Sequence, residues 1–136
     1  MTALAQHFPL TAERLRALND TEVAILDQFS TRFAKLQDSM GATLFPALLE
    51  LTKEQGDLGA FLDKLYRLEK IGAIPSSEEW LMLREMRNAF AHDYPEEPEI
   101  QAAILNKAYG LAGSLLSTLD HVERFSGRYI AVRKEV

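Results

Sequence analysis

The sequence predicts an all-α protein, an up-and-down bundle of four or five helices, and three observations carry that reading. Large apolar residues recur at steps of three and four, no stretch alternates apolar and polar residues as a strand does, and no repeat of fixed period runs along the chain. The 136 residues fall within the size of one folded unit, so residues 1–136 are expected to form a single helical domain.

Val23, Leu26, Phe29, Phe33, Leu36 and Met40 trace one face of a first long helix. Thr21 is positioned to cap its start and Gly41 to stop it, while Pro46 suits the first turn of the helix that follows. The residues leave open whether the chain breaks there or only kinks. Leu44, Leu48 and Leu51 continue the stripe to Gln55-Gly56, after which Asp57 caps a segment marked by Leu58, Phe61, Leu62, Leu65 and Leu68 and closed by Ile71-Gly72. Ser76-Ser77-Glu78-Glu79 has the Ser-x-x-Glu spacing of a capping box just before Trp80, and the helix it opens is expected to run to about His92.

Pro95 pushes Tyr94 out of the helical region, so a turn is expected from Asp93 to Pro98. The cluster Glu96-Glu97-Pro98-Glu99 then favours a new helix start. Ile100, Ile104, Leu111, Leu115, Leu119 and Val122 mark the last apolar stripe, and the small Gly110 and Gly113 suit close approach of another helix. Beyond Gly127 no period is visible and a loose tail is expected.

Hydrophobic residues make up 47% and charged residues 26%, the balance of a soluble globular chain rather than a disordered one. With no cysteine, disulfides, thiolate metal sites and cysteine nucleophiles are excluded. No apolar run approaches the roughly 18 residues of a membrane span. The first residues lack the basic start and apolar stretch of a secretory signal, so a cytoplasmic location is expected. The net charge of −5 argues against a broad, non-specific nucleic-acid surface, although a small local site remains compatible with it.

The chemistry concentrates at the end of the helix opened by Ser76. Leu83, Met86 and Phe90 point with Trp80 toward the core, while Arg84, Asn88, Ala91 and His92 gather on another side with Arg87 at its edge. Arg87 and His92 are separated by about 140° around the axis and flank a shallow patch floored by Asn88 and Ala91. A permanent cation, an amide and an imidazole suit phosphodiester cleavage in RNA, where the 2′-hydroxyl is a built-in nucleophile and no metal is required. His92 can serve as base or acid, Arg87 as stabiliser of the transition-state charge, and Asn88 as the group that orients His92. One histidine does not supply both proton roles, and a two-fold pair of chains would supply two. An Arg and a His at a helix end also serve many proteins simply as solvated or carbonyl-capping groups. His7, near the amino terminus, and His121, beside Asp120 and Glu123, read as solvated.

The run Leu83-Arg84-x-x-Arg87-Asn88-x-x-Ala91-His92-x-Tyr94-Pro95 resembles the signature of the HEPN superfamily. Tyr94, two places after His92, resembles the HepT-like toxin branch, as does the leader Leu65-x-x-Leu68-x-x-Ile71-Gly72-x-Ile74-Pro75-Ser76-x-x-Glu79-Trp80. The likeness is tightest from Leu58 to Pro95. It implies an α-helical homodimer and a metal-independent endoribonuclease toxin, with Arg87, Asn88 and His92 in the active site and Arg84 in support. It also implies a nucleotidyltransferase antitoxin that adenylylates Tyr94, and no cofactor. Adenylate on Tyr94 would bring bulk and negative charge two residues from His92.

From Glu78 to Glu99 only Arg84 and Arg87 oppose seven acidic residues, so RNA would draw positive charge from a partner chain or from Arg14, Arg16, Lys64, Arg67 and Lys70. Two other readings fit the same residues. One is a non-catalytic partner that holds a nucleotide or substrate for a nucleotidyltransferase, and the other is a helical interaction protein whose polar pair organises its dimer.

Overall fold

A computed structural model of the chain describes residues 2–52, 60–91 and 97–135, and the expected cap at Asp57, the neighbouring Gln55-Gly56 and Leu58, and the expected turn from Asp93 fall outside them. The fold is all-α, with no strand among the described residues. The helices are α1 (Thr2–Ala5), α2 (Ala12–Arg16), α3 (Asp20–Ser39), α4 (Phe45–Leu51), α5 (Phe61–Lys70), α6 (Ser77–Phe90) and α7 (Pro98–Glu135), with a π-helical turn at Met40–Leu44 between α3 and α4. No described helix is long and apolar enough to cross a membrane.

The chain divides into two compact units, residues 1–37 with 82–113 and residues 38–81 with 114–136. In the first, Leu4, Leu10, Leu26 and Ala102 form a buried cluster joined by Phe8, Phe29, Leu105 and Tyr109. Phe8 stacks on Tyr109 with ring centres 4.2 Å apart, and Phe29 meets both rings edge-on. Asn106 grips Leu10 at both backbone groups: its carbonyl oxygen accepts from the Leu10 N–H at 2.7 Å, and its amide donates to the Leu10 carbonyl at 2.8 Å. A side-chain amide here does what a neighbouring strand would do for an irregular segment.

That anchoring overturns the solvated reading of His7. Its side chain is only 8% accessible, Nδ1 lies 3.5 Å from Glu22 Oε2, and Nε2 is buried with no partner among the described residues. The segment from Gln6 to Leu10, after α1, is irregular, so it shows no period although Phe8 and Leu10 pack inward with Leu4.

The start of α3 also differs from expectation. Asn19, not Thr21, is the cap: its side chain accepts from the Glu22 N–H at 2.8 Å while Glu22 Oε1 accepts from the Asn19 N–H at 3.1 Å, a reciprocal capping box.

In the second unit Gly41 does not stop the helix. The Phe45 N–H donates five residues back to the Met40 carbonyl. The widened turn accommodates Pro46, whose ring would otherwise crowd the carbonyl four residues earlier. A Cβ at Gly41 would lie 3.4 Å from the Trp80 ring, in ordinary van der Waals contact. The core comprises Met40, Phe45, Leu48, Leu65, Leu68, Ile74, Trp80, Leu115 and Val122. Full burial of side chains this size contributes about 1.5–3 kcal/mol each.

The α5 end follows the expected Ile71-Gly72 closure. The Ala73 N–H reaches the Leu68 carbonyl at 2.9 Å and the Gly72 N–H reaches that of Glu69 at 3.0 Å, with Gly72 at φ +83°. His121, half-buried, also finds a backbone partner: its Nε2 donates to the Gly72 carbonyl at 2.8 Å, and since a carbonyl only accepts, this nitrogen carries the proton.

Along α7 the buried positions are Ala102, Ala108, Leu115, Thr118 and Val122, while Ile100 is exposed. The expected stripe was therefore rotated over its first half, where small alanines rather than large aliphatics pack inward. Gly110 and Gly113 are both exposed, with no described atom within 4 Å of an added Cβ, so they mark no close approach within the described chain. Gly127 ends nothing, because α7 continues to Glu135.

Two glycine substitutions should have opposite signs. Gly72→Ala should lower the unfolding free energy by about 1–2 kcal/mol, since only glycine takes this backbone conformation without strain. Gly110→Ala should raise it by about 0.5–1 kcal/mol by favouring an open helical position. Urea titrations of both variants read the two directions.

Candidate functional site

The polar face read from the sequence belongs to α6, and its position begins at that helix's first turn. The Ser76 hydroxyl accepts from the Glu79 N–H at 3.1 Å, as the capping spacing predicts. A second contact was not foreseen: Glu69 reaches from α5, its Oε2 accepting from the Ser77 hydroxyl at 2.9 Å and its Oε1 from the Ser77 N–H at 3.2 Å. The carboxylate thus fills the anion-favouring start of α6 and satisfies a buried hydroxyl. The only sequence signal was an acidic residue near the end of one helix and a second serine at the start of the next.

Further along, Leu83 and Met86 are buried and fix the rotation of α6. Arg84, Asn88 and Ala91 are exposed and Arg87 is half-buried at the margin of the packed side. The described helix ends at Phe90, two residues before the expected end, and the Ala91 N–H closes its last turn on the Asn88 carbonyl at 3.1 Å. His92 and Tyr94 lie outside the described residues.

Phe90 meets Phe33 edge-to-face with centres 5.6 Å apart. Beside it, in the same unit, a cavity of about 430 Å³ has aliphatic walls and includes Asp27, Ser30, Ala89 and Gln101 in its lining. Asp27 and Ser30 are three apart on α3, flanking its apolar face, a spacing too common to single out from sequence. A smaller cavity of about 290 Å³ in the other unit is lined by Phe45, Leu49, Phe61, Leu68 and Lys64 among others.

Of the other basic residues considered, Arg14 donates to the Pro9 carbonyl at 3.1 Å and Arg16 lies 3.8 Å from Glu99, an exposed pair. Arg67 and Lys70 occupy the last turn of α5, where cations suit the helix dipole. Among the described residues no three His, Asp or Glu side chains come together as a metal site.

Comparison of the chain with protein-family models, curated proteins and solved structures finds no match.

Removing the Glu69 contact should be costly because it strands the buried Ser77 hydroxyl. Glu69→Ala should lower stability by about 1–3 kcal/mol, with Glu69→Gln recovering part of the loss through its remaining acceptor. Denaturation midpoints of the two variants give the comparison.

Proposed function

We propose that the chain is a metal-independent endoribonuclease of the HEPN type, a toxin acting on single-stranded RNA as a homodimer and restrained by a nucleotidyltransferase that adenylylates Tyr94. The observation that carries this reading is the end of α6. Its last two turns hold Leu83 and Met86 in the core while Arg84 and Asn88 face solvent and Arg87 stands half-buried beside them, five residues before His92 in the sequence.

In this reading the 2′-hydroxyl attacks the adjacent phosphorus as its proton is taken by one His92. The 5′ oxygen leaves with a proton from the other copy, giving a 2′,3′-cyclic phosphate and a 5′-hydroxyl end. Arg87 neutralises the charge that grows on the phosphoryl oxygens, and a preorganised cation of this kind contributes about a hundredfold or more in rate. Asn88 is the positioning group for His92, four residues before it in the sequence. The requirement for two proton carriers is the physical reason for the second copy. Adenylate on Tyr94 would repel the RNA phosphates from this groove.

Purified, unmodified protein incubated with single-stranded RNA in EDTA should cleave it. Arg87→Ala and His92→Ala should each lower the rate by at least about a hundredfold. RNA left intact by the wild type ends the nuclease reading.

Co-expression with a nucleotidyltransferase and ATP should add adenylate mass to the wild type and none to Tyr94→Phe. An unchanged intact mass in the wild type removes the acceptor assignment.

A further inference from the structure

The cavity beside Phe90 lies in the same unit as Arg87 and Asn88 and is reached from the same end of α6, since Ala89 and Phe90 are part of its wall. Its volume of about 430 Å³ falls in the lower part of the range of small-ligand pockets. Leu18, Leu26, Ile104 and Leu105 supply apolar walls, and Phe90 is half-buried with Phe33 edge-on to it. Such a surface suits the faces of a planar heterocycle, which stack on aromatic and aliphatic groups.

The polar groups on the α3 side are acceptors. Asp27 is exposed and makes no hydrogen bond or ion pair among the described residues. The Ser30 hydroxyl donates to the Leu26 carbonyl at 3.2 Å, which leaves its oxygen lone pairs as acceptors. A wall with a carboxylate and an acceptor oxygen selects an edge made of donors. Guanine alone among the four RNA bases has two adjacent donor groups, N1–H and the N2 amine, on its Watson–Crick edge. Adenine and cytosine set a ring-nitrogen acceptor beside their amine, which a carboxylate oxygen would repel, and uracil sets its single N–H between two carbonyls.

We propose that this cavity is a nucleobase subsite selective for guanine, with Asp27 accepting from N1–H and N2–H and Phe90 bordering the ring, an inference that rests on the ribonuclease reading of the neighbouring residues. It names the nucleotide that would sit beside the cleaved bond and assigns specificity to a different helix from the one that carries Arg87.

The test separates binding from cleavage, because nucleosides contain no phosphodiester. Wild-type protein is titrated with guanosine, adenosine, cytidine and uridine and followed by methyl NMR signals of Leu18, Leu26 and Ile104. Guanosine should bind about tenfold or more tightly than the others, and Asp27→Asn should abolish that preference while keeping the wild-type circular dichroism spectrum. Phe90→Leu should weaken all four nucleosides without restoring equality to the Asp27-dependent ranking. In parallel, wild-type cuts in a mixed-sequence RNA should cluster next to guanosine and Asp27→Asn should scatter them. Equal binding of the four nucleosides, or a guanosine preference that survives Asp27→Asn, overturns the subsite. Cleavage that depends on Arg87 and His92 but ignores Asp27 removes the subsite and leaves the nuclease standing. Guanosine binding with no cleavage under any condition removes the nuclease and keeps the base site.

Discussion

Glu69 holds the first turn of α6 with both carboxylate oxygens, and the chain reversal between α5 and α6 is organised around that grip. The carboxylate sits where four backbone N–H groups would otherwise lack partners and where the helix dipole favours negative charge. Its reach is set by the chain reversal just after it. Gly72 turns the backbone into a left-handed conformation, so the Ala73 N–H can return to the Leu68 carbonyl and Ala73 and Ile74 can be buried. His121 then closes the exposed Gly72 carbonyl from α7. Each group in the reversal answers a polar atom that the preceding one leaves open.

The amino-terminal segment solves a similar problem without a helix cap. Leu10 lies in irregular backbone yet is buried, and Asn106 satisfies both of its peptide groups while Phe8 stacks on Tyr109 three positions along α7 from that amide. Glu22 contributes one oxygen to the α3 capping box and brings the other to His7, so the start of α3 and the turn after α1 are tied to one side chain. These contacts build the unit in which the apolar anchors of the candidate site, Leu83 and Met86, are buried.

The candidate site was partly legible because it lies on a helix. Periodicity assigns the inward side to Leu83 and Met86 and the outward side to Arg84 and Asn88, and it sets Arg87 between them, without reference to any other element. The cavity next to it was not legible. Asp27 and Ser30 on α3 come to Phe90 on α6 and Ile104 on α7 only through packing of segments more than fifty residues apart, and no local spacing encodes that meeting.

By itself the sequence determined the all-α class, the capped start of α6 at Ser76 and the glycine closure of α5. Each depends on residues within one or two turns of each other, where period, cap and backbone conformation are local properties. Tertiary structure alone decided the continuation through Gly41 and Pro46, the inward side of the first half of α7, and the roles of His7, Glu69, Asn106 and His121. A proline or glycine stops a helix only when its surroundings offer no widened turn or ring to pack against. A polar side chain is solvated only when no distant backbone group needs it, and both conditions are set by what lies across the core.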